Sequence, residues 1–87
     1  MSDIFRFPPV KYAQDSIPII QWKKIQEEVS ELGAALVLGE VDERVIEEGW
    51  DVIQAVEGIL RQYDPNLIIY MRNKVEEKNR KRNYYDE

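Results

Sequence analysis

Glu28 and Glu31, and then Glu48 and Asp51, form two acidic pairs with the same three-residue spacing. Residues three apart on a helix lie on one side of it, about 5–6 Å apart between Cβ atoms. At 100° per residue, Glu28 sits beside an apolar stripe rather than opposite it, and Glu48 borders an apolar arc marked by Val52 and Ile59. Each pair is followed by a small residue on nearly the same line, Ala35 in one case and Ala55 in the other. If the two helices are antiparallel neighbours, four carboxylates meet across one groove. Such charges repel strongly unless a cation lies between them. Hard divalent cations take oxygen ligands, and Mg²⁺ is usually held by a few carboxylates, waters and substrate phosphates. The pairs therefore read as a Mg²⁺ site. The competing reading is two solvated acidic faces, because a single E-x-x-E is common decoration on an exposed helix.

Composition narrows the other chemistries. The chain has 87 residues with neither Cys nor His. Thiolate and imidazole zinc sites are excluded, as are His-based triads and His general bases. The absence of Cys suits a reducing compartment. A net charge of −5 argues against broad nucleic-acid binding, although Lys74, Lys78, Arg80, Lys81 and Arg82 crowd the C-terminal end. No apolar run is long enough to span a bilayer, and MSDIFRFPPV lacks the basic-then-apolar order of a signal peptide. A soluble, cytoplasmic, single-domain protein is expected, with no membrane and no nucleic-acid partner.

The elements that must position the acids are helices. Residues 1–16 contain FRFPPVKY and read as an extended arm whose aromatics, Phe5, Phe7 and Tyr12, pack on the body. A first helix should start near Ser16–Pro18, with Ser16 as cap, and end near Gly39. Its apolar stripe is Ile25, Val29, Leu32 and Leu36. Asp42 is placed to cap a second helix. The apolar residues of that helix, from Val45 to Leu60, cover close to half its circumference, which is more than one partner helix needs and suggests packing against another subunit. Asp64 as cap and Pro65 as first helical residue restart the chain into a third helix reaching about Arg82, and residues 83–87 form a frayed tail. The expected class is all-α, three main helices in an antiparallel bundle completed by oligomerisation.

The remaining polar and aromatic residues divide between binding and packing. Lys74, Lys78 and Arg82 fall at steps of four along the third helix, a row of cations suited to a polyphosphate, and Asn79 could hydrogen-bond a phosphate or sugar. The alternative is a solvated charged face that also pairs with Glu76 and Glu77 near a helix C-terminus. Trp22 is expected in core or interface packing, and Trp50 is expected to point toward the apolar arc.

Glu28-x-x-Glu31, sixteen residues, then Glu48-x-x-Asp51, within EEVSELGAAL and EEGWDVIQAV, resembles the signature of the MazG-like all-α nucleoside triphosphate pyrophosphohydrolases. The tail KNRKRNYY is similar to the endings of short members, and the resemblance covers about residues 17–85. It implies Mg²⁺-dependent cleavage of an NTP or dNTP between its α- and β-phosphates, with Mn²⁺ as a possible substitute. It further implies that Glu28, Glu31, Glu48 and Asp51 ligate the metal and that the chain works as a homodimer or homotetramer. In that setting Glu27 or Glu47 would accept the proton of the attacking water, or else be a solvated neighbour. The reading from a different class is a non-catalytic helical module for oligomerisation or partner binding, motivated by the wide apolar face.

Overall fold

The computed structural model describes residues 4–11 and 17–87. Among the described residues three long helices follow one another: α1 (Pro18–Val37), α2 (Asp42–Leu60) and α3 (Pro65–Lys81). No strand occurs among the described residues, so the class is all-α as expected. No described helix is long and apolar enough to cross a membrane.

Local chemistry sets the boundaries. α1 carries Pro18 at its first position, where the missing N–H costs nothing, and the residue preceding it is Ile17 in extended geometry. The expected cap Ser16, like Tyr12, lies outside the described residues. α1 stops in a Schellman turn. Gly39 takes φ +65°, its N–H donates to the Leu36 carbonyl, and the Glu40 N–H donates to that of Ala35. The expectation for α2 needs correction, because Val41 precedes the helix and Asp42 is its first residue. No side chain caps that end, and Asp42 and Glu43 act there through the helix dipole instead. α3 begins as the sequence indicates, with the Asp64 carboxylate accepting from the N–H groups of Asn66 (2.7 Å) and Leu67 (3.4 Å) ahead of Pro65.

α1 and α2, joined by four residues, form an antiparallel hairpin and are the one extensively packed helix pair among the described residues. The face α1 turns inward is Gln21, Ile25, Glu28 and Ala35. Of its aliphatic stripe, Val29 and Leu36 are exposed. The acids are therefore central to this interface, and Ala35 and Ala55, both buried, make room for them. α3 packs sparsely on the hairpin and has no buried residue.

The surplus face of α2 is partly taken by the arm. The buried Glu57 carboxylate accepts from the main-chain N–H groups of Arg6 (2.8 Å) and Phe7 (3.0 Å). Arg61 donates to the Phe7 carbonyl (2.7 Å) and lies over the Phe5 ring. Phe7 meets Trp50 edge-to-face at 5.8 Å. Trp50 thus serves the arm, on the side of α2 opposite Glu48. The tail is not frayed either: the Glu87 carboxylate pairs with Arg80, which also lies over the Tyr85 ring.

Candidate metal centre

Glu28 from α1 and Glu48 and Asp51 from α2 each place one carboxylate oxygen within 4.8 Å of the others. Glu28 is 7 % exposed and Glu48 1 %. Isolated carboxylates at such depth are costly, and each has been given a cation one turn earlier on its own helix. Lys24 Nζ lies 2.9 Å from Glu28 Oε1, and Arg44 Nη2 lies 2.7 Å from Glu48 Oε1. Each cation takes only one oxygen of its carboxylate. The other oxygens, Glu28 Oε2 and Glu48 Oε2, are buried and have no hydrogen-bond partner among the described residues. Buried polar atoms are seldom left in that state.

Glu31 is exposed, yet it reaches Glu48. Burial pushes the Glu48 carboxyl above its ordinary value of 4.5, Arg44 pulls it back, and the close carboxyl and charge of Glu31, with the charge of Asp51, raise it again. Like charges are being held together against their repulsion. Lys24 and Arg44, the latter shared with Glu40 and Glu47, leave the carboxylates of Glu28, Glu31, Glu48 and Asp51 only partly compensated.

The donor set fits a hard cation. It consists of oxygen alone, and the three oxygens, within 4.8 Å of one another, stand close enough to converge on one ion. Glu28, Glu48 and Asp51 would hold the ion, with Glu31 in reach at the rim.

The other expected site residues stand elsewhere. Glu27 and Glu47 are exposed and outside the cluster, and Glu47 is engaged by Arg44 at 2.5 Å. Lys74, Lys78, Asn79 and Arg82 ride on or just past α3. Lys74 lies over the Tyr70 ring, and Arg82 contacts Asn79 and Tyr84. The charges that act on Glu48 are Arg44, Glu31 and Asp51, not the α3 row. Among the described residues, α3 with its basic row makes no extensive contact with the helices that carry the acids.

Lys24, Arg44 and Glu57 were not singled out from the sequence. Lys24 and Arg44 each stand four residues before the first acid of a pair, a spacing legible without a structure. For Glu57 the signal is an acid isolated in the apolar run VEGIL.

No protein-family model, curated protein or solved structure matches the chain.

Proposed function

We propose that the chain is a Mg²⁺-dependent nucleoside triphosphate pyrophosphohydrolase, releasing the nucleoside monophosphate and pyrophosphate. The observation that carries this reading is the pair of buried, unpartnered oxygens of Glu28 and Glu48 in one cluster with Asp51. The motif resemblance supplies the reaction class. A bound divalent ion would neutralise phosphate charge and lower the pKa of water. Glu28 and Glu48, pinned by Lys24 and Arg44, hold their inner oxygens in place, and Asp51 closes the set. Glu31 is the nearest further carboxylate, and its place beside Glu48 suits it to accept a proton better than the outlying Glu27 or Glu47. The α3 basic row meets a substrate phosphate only where a second chain brings it to the acids, so the proposal includes a homo-oligomer.

A second reading is favoured by that same separation of α3 from the acids: a helical assembly module without turnover. Pyrophosphate release distinguishes the two. A panel of NTPs and dNTPs is assayed with and without Mg²⁺ on wild type and Glu48→Gln. Release that requires the metal and disappears in the variant is the expected result. Release that persists within a few-fold in Glu48→Gln removes the site, and no release from any nucleotide moves the assignment to the assembly module.

A further inference from the structure

Lys24 and Arg44 do the same thing on two helices. Each stands four residues before a buried acid and takes one oxygen of its carboxylate, Lys24 Nζ at 2.9 Å from Glu28 Oε1 and Arg44 Nη2 at 2.7 Å from Glu48 Oε1. Exposed pairs at this spacing are ordinary on helices. These two differ in what they leave behind. The acid side chains are only 9 % and 1 % exposed, and Glu28 Oε2 and Glu48 Oε2 are buried with no hydrogen-bond partner among the described residues. A cation placed only to offset the burial of a carboxylate would be joined by donors on the second oxygen, because a dry, unpartnered oxygen is costly.

This division of oxygens limits how many ions the cluster can hold. Two-metal hydrolytic centres set their ions about 3.5–4 Å apart. Dications that close repel strongly, and carboxylates that give one oxygen to each ion hold them together. Glu28 and Glu48 cannot bridge in this way, because one oxygen of each is already engaged by an internal cation. Asp51 remains in the cluster, with the exposed Glu31 beside it, and these leave a second ion no buried ligand of its own.

We infer, resting on the proposed function, that Lys24 and Arg44 fix the centre at one divalent ion, with the Lys24 ammonium in the place of a second. Arg44 also engages Glu40 and Glu47, so it ties the turn before α2 to Glu48. Lys24 holds Glu28 from a side chain that is 44 % exposed, so its ammonium is open to solvent as well. A polyphosphate on the single ion would meet in Lys24 a fixed positive charge where a two-metal centre offers an ion. Unlike an ion, that charge is covalently part of α1 and does not depend on metal concentration.

Mn²⁺ alone is the probe, titrated into the full chain and counted by the loss of the free ion's electron paramagnetic resonance signal. Wild type is expected to bind one ion per chain, and Glu48→Gln to lose it, which locates the ion at the cluster. Lys24→Met releases Glu28 Oε1 and is expected to bind two, with the dipolar broadening of ions about 3.5–4 Å apart. Lys23→Met removes the same charge from a neighbouring exposed position, and Lys24→Arg keeps a cation on Glu28; both are expected to stay at one. Two ions in wild type overturn the inference and leave the metal centre standing, as does a single ion in Lys24→Met. A second ion in Lys23→Met also overturns it, because net charge and not the engaged oxygen would then set the count. A wild type that binds no Mn²⁺ removes the metal centre itself, and the inference with it. If Lys24→Met does not fold, the wild-type count decides alone.

Discussion

Replacing Glu57 by Gln isolates what holds the arm. The wild-type carboxylate accepts two consecutive main-chain N–H groups at 2.8 and 3.0 Å, from the last donors before Pro8 and Pro9, which have none to offer. Gln keeps one acceptor oxygen, loses the charge and turns an amide N–H toward the second donor. Hydrogen bonds to a charged group contribute about 1.5–3 kcal/mol each. Losing one outright and weakening the other should cost about 2–4 kcal/mol of arm docking. Arg61 still donates to the Phe7 carbonyl, so the arm is loosened rather than released. Native-state amide exchange by NMR reads this directly: protection at Arg6 and Phe7 is expected to fall by about 30-fold to 1,000-fold, since 1.4 kcal/mol is a factor of ten. Amides in the middle of α1 and α2 should keep theirs. Trp50 fluorescence should change in parallel as Phe7 leaves its edge. Protection unchanged within about threefold would refute the clamp. An equal loss across α1 and α2 would show that Glu57 is a general core residue and that the arm does not open as a unit.

Three further outcomes are expected. Divalent metal should raise the melting temperature of wild type by about 10–20 °C at one hundred times its dissociation constant, from about 2.7 kcal/mol of linkage in a domain this small, and Asp51→Asn should abolish the shift. Without metal, stability should follow the raised Glu48 pKa: its contribution is complete below 4.5 and is lost as pH climbs through the higher folded value, so melting temperature falls with rising pH in that window. Glu76 and Glu87, held below 4.5 chiefly by hydrogen bonds from Arg80, act in the opposite sense and lose their contribution on acidification, so Glu48→Gln is the control that assigns the window. Glu48→Gln and Glu57→Gln should act additively on stability within about 0.5 kcal/mol, because Glu48 works with Arg44, Glu31 and Asp51 while Glu57 holds the arm, and calorimetry of the double variant checks it.

The parts of this structure legible in the sequence are those written within a few residues of one another. Asp64 before Pro65, and Gly39 after an amphipathic run, carry their own stereochemistry, and both boundaries stand where that chemistry puts them. The acid pairs were legible for the same reason, since three-residue spacing fixes a shared side once the segment is helical. A helical wheel gives angles on one helix but does not say which angle meets the neighbour. That is why Val29 and Leu36 read as core while Gln21, Glu28 and Ala35 occupy it. Asp42 read as a cap because its type suits one, yet the helix begins a residue earlier relative to it and the role falls to the dipole. The Glu57 clamp joins residues fifty apart. No local pattern encodes such a contact; an acid stranded in an apolar run marks only that something must satisfy it.

The hairpin is also poorly built if stability is its only purpose. Among the described residues its buried apolar side chains are Ile25, Ala35 and Ala55, while Gln21, Glu28 and Glu48 fill the rest of the interface. Two buried carboxylates with cations on one oxygen each cost more than they return, and aliphatic residues of similar size would pack there without that cost. A chain this short has little stability to lose. The proposed function accounts for the acids by the cation their inner oxygens would hold. On that function, a cation at the cluster would supply the cohesion the hairpin lacks. Chelating such an ion should therefore soften α1 and α2, read as lost amide protection in the middle of both helices.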